Sequence, residues 1–127
     1  MTTWTLVAPW PKPLTSLNDR LHWAVVKKAT LRCRDWAMDT ATAELIPPLE
    51  HCIVEMIWTV PDKRIRDEEN SMLDFKAICD GLVNAGIVPD DVPKYMTKLM
   101  PVIEYIKGQK GVRVVVTGTP APVVDTL

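Results

Sequence analysis

Two histidines, three cysteines and the absence of any nucleotide-binding loop narrow the chemistry open to this chain. His22 and His51 stand at no metal-ligand spacing, which argues against a zinc site. Cys33, Cys52 and Cys79 are odd in number, lack ligand spacing and sit in apolar patterns. Buried free thiols in a reducing compartment are therefore expected rather than a disulfide framework. The sequence holds no GxxxxGK(S/T) loop and no GxSxG elbow, which argues against P-loop nucleotide hydrolysis and against an α/β-hydrolase. No nucleotide cofactor is expected. No stretch approaches the roughly 20 apolar residues of a membrane span. Residues 1–10 show neither the basic start nor the apolar run of a secretory signal. A cytoplasmic protein with no membrane partner is the expectation. Strong net charge is missing too: 15 Lys and Arg against 16 Asp and Glu leave −1. Any attraction to nucleic acid must come from local patches.

What is present fits one domain. At 127 residues with 47% apolar composition, the chain is long enough for a single core. Residues 4–8 are short and rich in strand formers, and they end at Pro9-Trp10-Pro11-Lys12-Pro13, an extended loop. Helix-start residues cluster at Ser16-Leu17-Asn18-Asp19. From about 20 to 45 no proline or glycine intervenes. Leu21, Val25, Ala29 (or Val26), Cys33, Trp36 and Thr40 recur at helical spacing, while Lys27, Lys28, Arg32 and Arg34 lie on other faces. Residues 51–60 alternate with apolar side chains on both faces, as in a central strand. A second helix is predicted over 70–85, with Phe75, Ile78, Cys79 and Leu82 on its core face and Gly86 terminating it. Residues 95–106 read as a strand broken or bulged at Pro101. A turn at 108–111 then leads into a strand over 112–117, giving a C-terminal hairpin. The expected fold is α/β, in the order β-α-β-α-β-β: a small mixed sheet of about four strands with two helices. One domain covers 1–118, and 119–127 is a flexible tail. Of the tryptophans, Trp10 and Trp23 are the two expected outside the core.

The chemistry is concentrated in residues 61–91. A basic run (Lys63, Arg64, Arg66) passes directly into Asp67, Glu68 and Glu69, and after the predicted helix comes Asp90-Asp91 between Pro89 and Pro93. Asp67 and Glu69 are two apart, so an extended segment would place both carboxylates on one side. A plain helix cap explains the first group equally well, and a Pro-Asp-Asp turn explains the second. If the chain returns antiparallel, three or four carboxylates would surround one small volume. Such a cluster needs a hard divalent cation, Mg²⁺ or Mn²⁺, to offset its self-repulsion. Cations beside it suit a nucleic-acid backbone.

Several stretches together resemble the RusA-type Holliday junction resolvases, small endodeoxyribonucleases common in phages and prophages. They are Pro-Trp-Pro at 9–11, SLNDRLHW at 16–23, PDKRIRDEEN at 61–70 and FKAICDGLVNAGIVPDD at 75–91. The combination Arg-Asp-x-(Asp/Glu)-Asn, then Asp-x-Leu, Ala-Gly and Asp-Asp carries the likeness. The resemblance implies a RusA-like fold and a homodimer acting on branched DNA. It further implies Mg²⁺-dependent paired nicking of four-way junctions in recombination and repair, leaving 5′-phosphate and 3′-hydroxyl ends, in a bacterial cytoplasm. It places Asp67, Glu69 and Asp91 as essential acids, with Asp90 beside them as a metal ligand, and puts Lys76 where the family has a catalytic lysine. It turns Arg20, Lys27, Lys28, Lys63, Arg64 and Arg66 into candidate DNA contacts. Glu69 departs from the aspartate of the pattern, and three extra residues precede Asp80. A catalytically weak junction-binding protein of the same fold, or a different Mg²⁺ nuclease such as a PIN-type RNase, are the alternatives.

Overall fold

Apolar alternation along the strands and two amphipathic helices produce a mixed sheet covered on one face. The computed structural model of the chain describes residues 1–15 and 22–122. Among them the order is β1 (Thr2–Val7), α1 (Trp23–Ala43), β2 (Leu49–Val60), a 3-10 turn (Glu68–Ser71), α2 (Met72–Asn84), β3 (Met96–Lys98), β4 (Val102–Tyr105) and β5 (Gly111–Pro120). The five strands are ordered β1-β5-β2-β3, and β4 continues beyond β3 along the same edge of β2. β1 to β4 all run parallel. Only β5, between β1 and β2, is antiparallel to its neighbours.

The sequence expectation of two helices on a small mixed sheet holds, with one strand more than the four anticipated. Pro101 splits the 95–106 segment: Lys98 pairs with Val54 and Val102 with Ile57, so this edge carries one extra residue opposite β2. Proline has no N–H to donate, and a bulge at an edge is where sheets accommodate it. The expected C-terminal hairpin does not form. β2 is apolar on both faces and takes a neighbour on each edge, β4 on one and β5 on the other, so these two never pair. β5 also runs two residues into the expected tail, to Pro120, and Ala121 N–H donates to the Pro48 carbonyl at 2.8 Å. Residues 123–127 lie outside the described part.

The helices pack on the face that carries Leu6, Val54, Met56, Val112, Val114 and Val116, all buried. On α1 the buried row is Cys33, Ala37 and Ala41, whereas Val25 is exposed. The stripe is displaced from the one expected because α2 approaches through small residues. A Cβ on Gly81 would overlap the Arg34 carbonyl and stand 2.9 Å from the Ala37 Cβ. Leu21 and the helix-start cluster 16–19 lie outside the described residues; α1 is instead capped by His22, whose Nδ1 accepts from Ala24 N–H at 3.1 Å. The three thiols are free and buried, as expected. Burial pushes Cys52 up to about 11 and Cys79 up to about 12, so neither is a thiolate near neutrality. No helix is long and apolar enough to cross a membrane among the described residues.

Both helices end in the same double hydrogen bond. Ile87 N–H reaches Leu82 O and Gly86 N–H reaches Val83 O; Ile46 N–H reaches Ala41 O and Leu45 N–H reaches Thr42 O. The motif requires a left-handed residue. Gly86 (φ 83°) supplies it without strain, but after α1 the residue is Leu45, at φ 56° and exposed. Leu45→Gly is therefore expected to stabilise the fold by about 1 kcal/mol, read from the urea midpoint at unchanged slope.

Candidate nucleic-acid and metal site

After β2 the chain leaves the sheet in a charged loop (61–67) and enters α2 through the short 3-10 turn. Arg66 braces this loop from inside. Its guanidinium meets the Asp62 carboxylate at 2.9 Å, donates to the carbonyls of Asp62 (3.2 Å) and Arg64 (3.0 Å), and lies 5.6 Å over the Trp58 ring. The Arg64 backbone N–H, then Arg66, hold the Asp62 carboxyl below its ordinary range. Beyond the brace, Asp67 Oδ1 accepts from Glu69 N–H at 2.9 Å and Asp67 O accepts from Asn70 N–H at 3.1 Å. Asp67 is thus the cap of the 3-10 turn, and Asp67, Glu68 and Glu69 all remain exposed at the mouth of α2.

The second acidic pair lies beyond the far end of α2, which at 1.5 Å per residue is about 20 Å long. The chain reverses at Gly86, Leu49 N–H takes the Ile87 carbonyl at 2.7 Å, and the turn 89–93 leads into β3. Asp90 Oδ1 accepts from Asp91 N–H at 2.7 Å, and Lys98 Nζ meets Asp91 Oδ2 at 3.1 Å. Lys98, with smaller contributions from Asp90 and Lys76, keeps the Asp91 carboxyl below its usual value. Lys76 is exposed on α2, and its charge acts on Asp91. Asp80, Asp90 and Asp91 line one cleft with Arg34.

The expectation of a single volume with three or four carboxylates is not met. Among the described residues no three His, Cys, Asp or Glu side chains stand close enough together to hold a metal ion. Asp67 and Glu69 form one pair and Asp90 and Asp91 another, each engaged locally: Asp67 by its cap, Asp91 by Lys98. Both pairs nevertheless border the same edge of the sheet. Asp91 reaches Lys98 on β3, and the loop bearing Asp67 faces Met100–Ile103 across a groove shared by Arg64, Arg66 and Glu68. Mg²⁺ is generally held by one or two carboxylates together with water and substrate phosphates, so the donor chemistry of an exposed Asp-x-Glu pair suits it without a complete protein cage.

Among the candidate DNA contacts, Lys27 and Lys28 are exposed on α1 and Arg20 lies outside the described residues. Lys63 Nζ is 5.4 Å over the Tyr105 ring, and Arg64 is largely solvent-exposed beside Asp62. Trp23 is exposed, as expected of a residue outside the core. Trp10 is not: it is buried edge-on against Trp36 (centroids 5.4 Å apart) with Arg32 5.0 Å from its ring. Sequence reasoning missed Lys98, whose link to Asp91 depends on how the turn at 89–93 leads into β3. It also missed Asp74. That carboxylate is fully buried in the first turn of α2 and accepts from Leu14 N–H (2.7 Å), Thr15 N–H (2.9 Å) and the Thr15 hydroxyl. An acid at a helix start is an available signal, but the partner segment, some 60 residues earlier, is not legible.

No family model and no curated protein matches this chain. Among solved structures, that of the hydrogenase maturation protein HypE aligns at 10% identity and a TM-score of 0.35, over 94% of this chain and 32% of that one. The chain spans about a third of that structure, and a likeness this weak carries no functional argument.

Two outcomes test the site's internal wiring. Lys98→Met should return the Asp91 carboxyl toward the ordinary value near 4, followed by carboxyl NMR titration. Because the folded-state value is depressed, the pair stabilises above that pH and its contribution disappears as pH falls through the folded value. The pair is partly exposed, so the contribution is only about 0.5 kcal/mol. Asp74→Ala should cost about 3 kcal/mol in chemical denaturation, since it strands the buried N–H and hydroxyl of Thr15 and the half-buried Leu14 N–H. A cost below 1 kcal/mol would contradict the role given to Asp74.

Proposed function

We propose that this chain is a Mg²⁺-dependent, structure-selective endodeoxyribonuclease that resolves four-way DNA junctions by paired nicks, acting as a homodimer. One observation carries the reading. The Arg66-Asp67-x-Glu69-Asn70 segment opens α2 at the carboxyl end of β2, and Asp90-Asp91 returns along the same sheet edge beside Lys76. The order of these segments in a mixed α/β fold supports the reading, although the two acidic pairs stand apart rather than in the single cluster that the resemblance to RusA-type resolvases implies.

In this reading Asp67 and Glu69 would share a divalent ion with water and a substrate phosphate. The resemblance assigns Asp91 and its neighbour Asp90, which stand apart from them beyond the far end of α2, to the same chemistry. Mn²⁺ serves as a substitute. When bound, the ion polarises a phosphate oxygen and acidifies an attacking water. Lys76 offers a cation beside Asp91, where charge develops on the scissile phosphate. Lys63 and Arg64 on the loop, and Lys27 and Lys28 on α1, contact phosphates; such contacts position DNA without reading its sequence. Arg66 keeps the loop in shape. Two subunits would bring two such sites to opposed strands of one junction.

A junction-binding protein with little or no cleavage is the second reading, favoured by Glu69 in place of aspartate and by the separation of the two acidic pairs. Asp67→Asn separates metal chemistry from binding. Asparagine caps a helix as well as aspartate does, so the turn is kept. Cleavage should fall by about 100-fold or more while junction affinity stays within about threefold. An equal loss of both in gel-shift and nicking assays would remove Asp67 from the metal site.

A further inference from the structure

Three parts of the chain that are remote in sequence meet at the end of the sheet where β1, β2 and β4 all finish. Lys12 comes from the loop after β1, Arg64 and Arg66 from the loop after β2, and Lys110 from the turn before β5. They line one cleft of about 300 Å³ together with Trp58 and Asp62. The carboxyl ends of parallel strands are where open α/β sheets place their ligands. Four cations face a single carboxylate here, and Asp62 is already committed to Arg64 and Arg66. Lys12 and Lys110 form no ion pair among the described residues, and both are exposed. The Arg66 brace fixes the loop wall of the cleft. The cleft also shares Arg64 and Arg66 with the groove that Glu68 and Met100–Ile103 line.

We infer that this cleft binds the phosphate backbone of a nucleic-acid strand, with Lys12 and Lys110 as its two previously unassigned phosphate contacts. The inference rests on the nucleic-acid reading above and extends it. A strand whose phosphate lies at the acidic mouth of α2 continues over the loop at Arg64 and is taken up by Lys12 and Lys110 at the sheet end. Neither lysine stands out in the sequence. Lys12 sits in a proline run and Lys110 in a glycine turn, and only the sheet order brings them together.

The test is the salt dependence of binding, measured for a four-way junction and a matched linear duplex with the full chain. Each phosphate contact contributes about 0.9 to the slope of log K against log salt, so Lys12→Ala/Lys110→Ala together should lower it by about 2. Lys107→Ala removes a charge from the same turn but outside the cleft, and should leave the slope unchanged. All three side chains are exposed, so the variants keep their fold. A double variant with the wild-type slope overturns the cleft, even if junctions are still nicked. Binding of both DNAs with a lowered slope but no nicking supports the cleft and sinks the resolvase reading. No binding to either DNA overturns both. A poly-glutamate probe whose affinity falls in the double variant while the DNA slope holds would assign the cleft to acidic peptides and overturn the proposal.

Discussion

The buried carboxylate of Asp74 is the contact on which the arrangement of the site depends. A charge without solvent is costly unless its hydrogen-bonding capacity is filled. Here no cation pairs with it among the described residues. Two backbone N–H groups, a hydroxyl and the positive end of α2 stabilise it instead. The result is a tie between the loop after β1 and the first turn of α2. That one tie sets the start of the helix whose mouth carries Asp67 and Glu69, and it fixes the path of the segment that brings Lys12 to the sheet end. Cys33 lies within reach of the same carboxylate, whose charge adds to burial in pushing that thiol up.

Around this tie the fold is organised by one crowded contact and one central strand. Gly81 lets α2 settle against the Arg34–Ala37 turn of α1, which only a residue without a Cβ permits. β2 then receives β5 on one edge and β3 and β4 on the other. Parallel strands place their carboxyl ends together, so the loops that bear charge collect at one end and along one edge of the sheet. The basic loop is braced by Arg66 over the Trp58 ring and lies between the acidic mouth of α2 and the cleft of Lys12 and Lys110. The run of cations in this loop lies a few residues from the carboxylates at the mouth of α2, an order that the proposed function would use to hold a backbone beside a bound ion.

Much of this was legible in the residues because the signals were local. Strict alternation marked β2, the i+3 and i+4 apolar spacing marked α2, and Gly86 marked its end. The local environment of Asp67 was also legible, though its bond is that of a cap. What failed was long-range. The hairpin expected of β4 and β5 rested on a glycine turn, yet both strands found the two edges of β2 instead. Trp10 was expected in a solvent-facing loop because prolines flank it, but a proline run can lie against a core, and Trp36 and Arg32 enclose it. Lys98, Asp74 and the Lys12–Lys110 pair each depend on partners more than five residues away, and no period in the sequence records them. Convergence of the acids was conditional on an antiparallel return and on the resemblance; the structure instead engages each pair with its own neighbours.

The central claim is that the two acidic pairs along this sheet edge cut branched DNA. The most direct test is to incubate the wild-type protein with an end-labelled four-way junction and a matched linear duplex, in Mg²⁺, in Mn²⁺ and with chelator, and to map the breaks on sequencing gels. The account predicts symmetric paired nicks in the junction alone, with religatable ends, and none with chelator. Junctions that are bound but intact under every metal condition, or a duplex cut as readily as the junction, would contradict it.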